Sequence, residues 1–483
     1  LFRSFTLDDF SSISNNYAIR TPFDPAAIWK FYSNRFILYY TISINYFIHD
    51  TAVLGYHITN ILIHILNGIL VYLIINHIID LRPTSSKIPI RYRNILAMLS
   101  ALIFICHPLQ VNAVTYIIQR TAALAATFYF LAILFYIKFR ISEKIRYFLI
   151  CLLSIILAMF TKENTITIPF LLVLLEFMFF IKDGKTSWKK RILFLFILFL
   201  TVPIIPATNV LLKGYSQSDP GVSFKASTSM DRFHYFYTEQ NVIIKYIKLL
   251  FVPIGQNFDY SNDFPISKTI WENGSYISFI ILCIIGIAAL VNLKNNKLIS
   301  LGILWFFIGL AVESSFISIK DVYFEHRLYF PVVGYVIFLL GLAFYQRGKD
   351  KKKFIFKKPV LCFIALSVLL IPFYSGLTLY RNYIFGDGIR LWTDVVKKAP
   401  GSDRAHSVLA TNYLDAYEAD DVKDESYLKY SEEGFKKAID MNYYNDTAHC
   451  NLAKVYYLKK EYEKCIEEAK KTISMVNSTY AYH

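Results

Sequence analysis

The sequence predicts an all-α protein in which a polytopic bundle of membrane-spanning helices is followed by a soluble α-solenoid. Three observations lead to this prediction: long apolar blocks, loops that alternate between basic and polar, and a repeating polar tail. Hydrophobic residues make up 55% of the chain. They are concentrated in about ten blocks, most of which are close to the ~17–25 residues that cross a bilayer as a helix. The blocks are 54–79, 94–107, 110–137, 147–160, 165–181, 191–212, 275–293, 298–318, 327–345 and 359–379.

Basic residues are sorted into alternate loops between these blocks. They are Arg82, Lys87, Arg91 and Arg93; Lys138, Arg140, Lys144 and Arg146; Lys182, Lys185 and Lys189 to Arg191; Lys294 and Lys297; and Arg347, Lys349 and Lys351 to Lys353. Short basic loops stay in the cytoplasm. We therefore expect an integral membrane protein whose other loops and tail face outward. The outer side would be the periplasm at a bacterial inner membrane, or the lumen at an endoplasmic reticulum membrane.

The formal net charge of +15 does not indicate a nucleic-acid partner. The basic residues are loop anchors rather than a continuous groove surface, so we predict no nucleic-acid binding. The 6 cysteines include no CxxC pair and no Cys/His metal spacing. The sequence therefore predicts neither a metal site nor a bound cofactor.

The order of apolar and polar stretches suggests four regions. Residues 1–53 form a first outer segment, in which Arg35 to Ile48 is expected to be a helix at the membrane interface. Residues 54–379 form the transmembrane domain, with a large outer loop at 213–274 that holds a second expected interfacial helix, Asn241 to Pro253. A linker at 380–400 leads to the tail at 401–483. The chain starts at Leu1 without Met, and we expect a first span to be missing ahead of it.

The tail contains a divergent internal repeat. Ala405-His406 and Leu409-Ala410 recur as Ala448-His449 and Leu452-Ala453, while Lys436-Lys437 recurs as Lys470-Lys471. The first shift is 43 residues and the second is 34, so we place an insertion in the acidic stretch from Asp415 to Glu425. A period of about 34 residues is typical of tetratricopeptide repeats, which stack into a concave protein-binding surface. The tail is therefore predicted to hold a protein or peptide partner.

Two adjacent acids, Asp8 and Asp9, stand in the first outer segment. A pair of acids is most often a solvated turn. A position just outside a first transmembrane helix makes a general base the functional alternative.

Polar residues also form a stripe down the first visible span. His57, Asn60, His64 and Asn67 share one helix face, and polar side chains in a bilayer usually face the bundle interior. We expect His64 and Asn67, which lie deep, to form hydrogen bonds between helices. His57 is near the outer surface and is a candidate for lining a site.

The next outer turns carry further candidates. His107 ends one span, and Arg120 lies inside the next, where a lone arginine is costly. Its alternatives are a functional contact or pairing with a carboxylate or helix-end carbonyls. Lys162 and Glu163 form a very short turn, and Lys162 alone would be explained by extension toward lipid headgroups.

The motif Glu325-His326-Arg327 precedes the ninth block at the outer surface. Arg327 is well placed to meet a lipid phosphate, because the guanidinium presents a planar fork of donors. The alternative is an arginine that reaches the interface without a specific partner.

Taken in order, these motifs resemble a known family. HxxNxxxHxxN (57–67), HPLQVNAVTYIIQR (107–120), TKEN (161–164), EHRLYFP (325–331) and the stretch 246–260 are similar to transmembrane and tetratricopeptide-repeat O-mannosyltransferases and their bacterial relatives. These in turn resemble the wider GT-C class, so a GT-C-like fold is expected. One departure is Asn34-Arg35-Phe36, where the family usually has Arg-Pro-Leu, which leaves the role of Arg35 open.

The resemblance implies transfer of a sugar from a polyprenyl-phosphate donor in the membrane to an acceptor hydroxyl, with protein Ser or Thr as the expected acceptor. Such a reaction needs a base and cations that neutralise the leaving phosphate. We assign Asp9 as the base, with Asp8 as the alternative, and expect inversion at the anomeric carbon. The expected phosphate contacts are Arg327, His326, Arg120 and Lys162, and the residues expected to shape the site are His107, Glu163, Glu325 and His57.

Three other functions stay open at this point. A membrane scaffold without activity would explain the tail but not the clustered acids and bases on the outer face. A transporter is disfavoured, because duplicated halves and broken helices at mid-membrane are not evident. A lipid-linked oligosaccharide ligase is only weakly excluded.

Overall fold

The structure, a computed structural model, describes residues 5–81, 88–181, 187–211, 230–319, 321–345, 357–419 and 422–481. Regular structure within these ranges is helical, which confirms the predicted all-α fold class. Part of the basic set and part of the large outer loop lie outside the described residues: Arg82, Lys87, Lys182, Lys185, Arg347, Lys349, Lys351 to Lys353, and 213–229.

The first outer segment contains α1 (Pro25–Tyr32) and α2 (Phe36–His49). The Asp24 side chain accepts a hydrogen bond from the Ala27 N–H, and Pro25 occupies the first turn, so α1 has a strong start signal. The helix expected at 35–48 is α2.

The bundle follows from residue 53. Its helices are α3 (Val53–Asp80), α4 (Ile90–Cys106), α5 (Gln110–Thr115), α6 (Arg120–Ser142), α7 (Ile145–Met159), α8 (Ile168–Leu175), α9 (Trp188–Phe199), α10 (Ile204–Leu211), α11 (Arg232–Phe251), α12 (Ser275–Asn295), α13 (Lys297–Leu310), α14 (Val332–Ala343) and α15 (Lys357–Phe385). The second expected interfacial helix, 241–253, is part of α11.

Among the described residues, six helical segments are long and apolar enough to cross a membrane: Val53–Asp80, Ile117–Ser142, Glu163–Phe180, Trp188–Thr208, Glu272–Asn295 and Lys358–Phe385. The shorter apolar helices α7, α13 and α14 occupy three further predicted blocks. The remaining predicted block, 94–107, corresponds to α4, whose first turn carries Arg91 and Arg93. The chain is an integral membrane protein.

Two predicted blocks are not single helices. Block 110–137 divides into α5 and α6, because Tyr116 between them has an extended backbone. Block 191–212 divides into α9 and α10, and Pro203 at the break lacks the N–H that a continuous helix requires.

Small residues let helices of the bundle approach closely. A Cβ atom on Gly302 of α13 would lie 2.5 Å from the carbonyl oxygen of Gly334 of α14. A larger side chain at Gly302 would therefore force the two backbones apart, which explains the glycine at this crossing.

The polar motifs meet at one end of the bundle, which we call the motif end. Three contacts join its segments: Arg35 with Glu163, Lys162 with Glu313, and the Tyr246 hydroxyl with the carbonyl of Phe324. They bring together the first outer segment, the α7–α8 turn, the end of α13 and the segment before α14.

Basic residues gather at the other end of the bundle. The Glu176 carboxylate lies 2.8 Å from Arg140 Nε and 3.0 Å from Arg191 Nε, and Arg93 pairs with Asp80. The separation of basic loops from polar motifs is therefore present among the described residues.

The linker contains α16 (Gly388–Lys398), and the tail follows it. The tail forms two antiparallel helix pairs, α17 (Asp403–Ala419) with α18 (Glu425–Met441), and α19 (Asp446–Leu458) with α20 (Tyr462–Ala481). Helix α17 has 17 residues and α19 has 13, so part of the predicted insertion is helical. Assignment of the pairs to tetratricopeptide repeats stays a prediction.

Candidate functional site

A narrow cleft at the motif end brings three predicted phosphate ligands together. Lys162, His326 and Arg327 line it, and we call it the outer cleft. Its remaining lining is Ala122, Ala125, Ala126 and Tyr129 of α6 with Asn164, Thr165, Gly309, Tyr329 and Phe330. Three of the four residues expected to contact the phosphate thus line one cleft, and the fourth, Arg120, does not.

Lys162 is held by a buried carboxylate. Its Nζ lies 2.7 Å from Glu313 Oε1, and Asn164 Nδ2 donates to Glu313 Oε2 at 3.2 Å. Lys162 is only 7% exposed, so it does not extend toward headgroups as its sequence context alone would suggest. Glu313 supplies the counter-charge that a buried ammonium needs.

Arg327 is also engaged by the protein. Its Nη1 donates to the carbonyl of Val322 at 2.7 Å and its Nη2 to the carbonyl of Asp321 at 2.6 Å. Nη1 also lies 3.6 Å from Glu239 Oε1 on α11. The donor fork is thus partly used by the protein, because both terminal nitrogens hold backbone oxygens. What Arg327 brings to the cleft is a fixed positive charge.

The buried Glu239 is the nearest carboxylate to Arg327. Burial raises the pKa of the Glu239 carboxyl to about 7, and the charge of Arg327 opposes that rise. Glu239 is fully buried, so the positive charge at Arg327 is only partly compensated near neutral pH.

His326 is the least satisfied polar residue of the outer cleft. Its ring stacks on Phe324 with centroids 5.0 Å apart, and its Nδ1 is buried without a hydrogen-bond partner among the described residues. Burial, and then the charges of Lys162, Arg327 and Arg35, hold the pKa of the His326 imidazole well below its usual range. A neutral histidine can donate one hydrogen bond, and buried polar atoms normally have a partner.

Glu163 faces away from Lys162 and pairs with Arg35. Arg35 Nε and Nη2 each lie 3.2 Å from a Glu163 oxygen. This pair joins the start of α2 to the α7–α8 turn and gives Arg35 a partner that the sequence left open. Through this pair Glu163 fixes the turn that carries Lys162.

The predicted base, Asp9, is buried beside the start of α6. Its Oδ1 accepts a hydrogen bond from the Ile118 N–H at 2.8 Å and its Oδ2 from the Thr6 N–H at 3.1 Å. Burial raises the pKa of the Asp9 carboxyl to about 7, against the lowering effect of those two hydrogen bonds. Asp8 is exposed, and its N–H donates to the Tyr116 hydroxyl at 3.1 Å.

Neither acid is part of the outer cleft as the described residues define it. Asp9 contacts the chain at Ile118, and the cleft begins at Ala122 on the same segment. Ile118 and Ala122 are four residues apart, which is about one helical turn. Asp9 thus packs beside the start of α6, and the outer cleft lies against the following turns of the same helix.

Arg120 has a structural environment. Its Nε donates to Asn60 Oδ1 and its Nη2 to Asn45 Oδ1, both at 2.6 Å, and its Nη1 donates to the carbonyl of Thr41 at 3.3 Å. Arg120 is fully buried and does not line the outer cleft. The sequence alternatives are a functional contact or pairing with a carboxylate or helix-end carbonyls, whereas the shortest contacts of Arg120 are with two asparagine side chains. Its phosphate role has no support here.

His107 and Glu325 fix backbone segments at the motif end. The Leu109 N–H donates to His107 Nδ1, so the proton sits on Nε2, which donates to the carbonyl of Leu250 at 3.0 Å. Glu325 Oε1 accepts from the Asn257 N–H at 2.7 Å. Both shape the region from behind the cleft rather than lining it.

The polar stripe of α3 forms the expected contacts. His64 Nδ1 and Asn67 Nδ2 lie 2.8 and 2.9 Å from the hydroxyl of Tyr329, which lines the outer cleft. His57 is buried near the outer end of α3. The stripe therefore supports one wall of the cleft from the side of α3.

Sequence reasoning missed the two carboxylates that hold the cleft cations, Glu239 and Glu313. A signal for Glu313 was present, since it falls inside the predicted block 298–318 and a carboxylate in such a block is unusual. Among the described residues, no three His, Cys, Asp or Glu side chains are grouped as metal ligands.

The sequence is similar to curated proteins named protein O-mannosyl-transferases. It is 24% identical over 351 residues to protein O-mannosyl-transferase F38B6.6 of Caenorhabditis elegans, covering 70% of this chain and 45% of that protein. It is 21% identical over 506 residues to protein O-mannosyl-transferase TMTC3 of Mus musculus, covering 94% and 51%.

The chain therefore spans about half the length of the curated relatives it matches. These similarities support the resemblance to the transmembrane and tetratricopeptide-repeat O-mannosyltransferases that the motifs indicate. No family model matches the sequence. No solved structure matches it either.

Proposed function

We propose that the chain is a membrane glycosyltransferase that moves a sugar from a polyprenyl-phosphate donor to a hydroxyl of an acceptor protein. The names of its relatives favour mannose as the sugar and an O-linked product. The motif end would be the catalytic face, and the helical tail would hold the acceptor.

One observation carries the proposal: Lys162, His326 and Arg327 converge on one buried cleft. A lysine paired with Glu313, an arginine 3.6 Å from Glu239 and an imidazole nitrogen without a partner among the described residues suit a phosphate group better than a neutral ligand. The neighbouring apolar helices offer a path along which a polyprenyl chain stays in the bilayer while its phosphate reaches the cations.

The proposed transfer is a single displacement at the anomeric carbon of the donor sugar. The acceptor oxygen forms a bond to the anomeric carbon as the bond from that carbon to the phosphate oxygen breaks. The hydroxyl proton passes to a carboxylate, and the electron pair leaves with the polyprenyl phosphate, whose charge the cleft stabilises. A single displacement inverts the anomeric centre.

Asp9 is the proposed base and Asp8 the alternative. A pKa of about 7 suits a general base near neutral pH. Each Asp9 oxygen accepts one backbone hydrogen bond and keeps a second lone pair, with which it would receive the hydroxyl proton of the acceptor.

The test uses the purified chain in lipid vesicles with polyprenyl-phosphate mannose and a Ser/Thr-rich acceptor peptide. We expect transfer by the wild-type chain, loss of transfer with retained donor binding in Asp9→Asn, and weaker donor binding in Arg327→Ala. Polyprenyl-phosphate glucose and a polyprenyl-diphosphate oligosaccharide, the donor class of a ligase, test the sugar and the reaction class. Absence of donor binding by the wild-type chain would overturn the proposal.

A non-enzymatic scaffold is the second candidate, and one observation favours it. Asp9 and Arg120 are both held by hydrogen bonds that join segments of the fold. If they serve only the fold, Asp9→Asn lowers the thermal stability of the chain and changes nothing in donor binding or transfer.

A further inference from the structure

One tail residue contacts two separate segments of the motif end. Arg404, in the first turn of α17, donates from Nε to Asp259 Oδ2 at 2.8 Å and from Nη2 to Asp259 Oδ1 at 2.6 Å. The same Nη2 donates to Asp321 Oδ1 at 2.9 Å. Asp259 is 1% exposed, so this two-bond pairing is a built contact rather than a surface encounter.

The segment that contains Asp321 leads directly to the outer cleft. Asp321 presents its side chain to Arg404, while its backbone carbonyl accepts from Arg327 Nη2 at 2.6 Å. A single residue therefore separates the tail from the cation that we assign to the donor phosphate.

The segment that contains Asp259 reaches the cleft through Glu325. Asn257, two residues before Asp259, donates its N–H to Glu325 Oε1 at 2.7 Å, and Gln256 Nε2 donates to Glu325 Oε2 at 2.9 Å. Lys398 of α16 donates to the carbonyl of Gln256 at 2.6 Å. Glu325 immediately precedes His326, so both routes end at neighbouring residues of the cleft.

We propose that Arg404 is a positioning residue for the donor site, through which the docked tail holds His326 and Arg327 in their phosphate-binding geometry. This inference rests on the proposed function. It assigns to the start of the tail a role beyond holding the acceptor, namely control of donor affinity.

The physical basis is the burial of Asp259. Without Arg404 the nearly buried carboxylate loses both charge-assisted hydrogen bonds, and an unpaired buried charge is strongly disfavoured. Segment 256–261 would then shift toward solvent and carry with it the donors that hold Glu325. Asp321 would also be free to move, and with it the carbonyl that holds Arg327.

The experiment titrates polyprenyl phosphate into the full-length purified chain in lipid nanodiscs, without acceptor. We expect Arg404→Ala to weaken binding by about 5–150-fold, the usual range for coupled sites. Arg404→Lys should recover part of the loss, since it keeps the charge but not the fork. Arg390→Ala is the matched control, because Arg390 of α16 donates to the carbonyl of Tyr383 within the same stretch of chain.

Asp321→Asn guards against a folding defect in Arg404→Ala. It weakens the contact of Arg404 with the side chain of residue 321, whose backbone carbonyl holds Arg327, while the pairing of Arg404 with Asp259 remains. It should also weaken donor binding. Wild-type affinity in a folded Arg404→Ala chain, or in Asp321→Asn if Arg404→Ala does not fold, would overturn the inference. A wild-type chain that binds no polyprenyl phosphate would instead overturn the proposed function itself.

Discussion

Lys162 and Glu313 form a buried ion pair with Nζ and Oε1 2.7 Å apart, joining the α7–α8 turn to the end of α13. The pair compensates the lysine charge while the cleft is without a donor. A donor phosphate must therefore compete with an internal carboxylate for the same ammonium group.

Glu313→Gln should strengthen donor binding and weaken the fold. The amide keeps the shape but removes the competing charge, so Lys162 becomes fully available to phosphate. The lost buried pair should at the same time lower the midpoint of thermal unfolding. Titration with polyprenyl phosphate and a thermal melt check both effects. Weaker donor binding in a folded Glu313→Gln chain would show that the glutamate supports the ligand instead of competing with it.

Asp9→Asn should reduce sugar transfer by about 10²–10⁴-fold, the usual effect of losing a general base. Donor affinity should stay at the wild-type value, because Asp9 does not line the outer cleft. The asparagine can accept through one side-chain oxygen only, so one of the two backbone N–H groups now bonded to Asp9 loses its acceptor, at a cost of about 1–3 kcal/mol. Asp8→Asn is the matched control. Transfer at the wild-type rate in both variants would exclude either acid as the base.

The transfer rate should rise with pH around a midpoint near 7. Burial raises the pKa of the Asp9 carboxyl to about 7, and the base acts only when it is ionised. The nearby charge of Asp8 contributes to the rise, so Asp8→Asn should move the midpoint to lower pH. A pH profile of kcat/KM for both chains measures this. A complete loss of transfer in Asp8→Asn would instead make Asp8 the base.

Removal of residues 446–483 should impair use of the acceptor and spare the donor. The deletion takes away α19 and α20 but keeps Arg404 and its contacts with Asp259 and Asp321. We therefore expect a higher KM for an acceptor polypeptide with unchanged binding of polyprenyl phosphate. Equal loss of both would mean that the whole tail, not its first helices, supports the cleft.

The fold and the approximate location of the site could be predicted from sequence because they depend on local signals. Apolar blocks of membrane-spanning length, and basic residues in alternate loops, indicated which turns share one end of the bundle. Lys162, His326 and Arg327 fall in such turns, and the structure places all three on one cleft.

The partners of these cations could not be predicted, because they depend on packing between distant segments. Arg327 meets Glu239 of α11, and Arg120 meets Asn45 and Asn60 of two other helices. Nothing in the sequence around either arginine specifies those neighbours. For the same reason Arg120 was expected to be as available to a phosphate as Lys162, whereas its donors are consumed within the fold.

The central claim is that the outer cleft binds the phosphate of a polyprenyl donor, and His326→Phe tests it most directly. Phenylalanine keeps an aromatic ring that can stack on Phe324 and removes both imidazole nitrogens, of which Nδ1 is buried without a partner among the described residues, so the fold should be retained. A lost hydrogen bond to a charged group is worth about 1.5–3 kcal/mol.

The measurement is titration of polyprenyl phosphate into wild-type, His326→Phe and His77→Phe chains, with His77 at the other end of α3 as the control. We expect binding by the wild-type and His77→Phe chains and an affinity about 10–100-fold lower in His326→Phe. Equal affinity in all three chains would contradict the assignment of the outer cleft as the donor site.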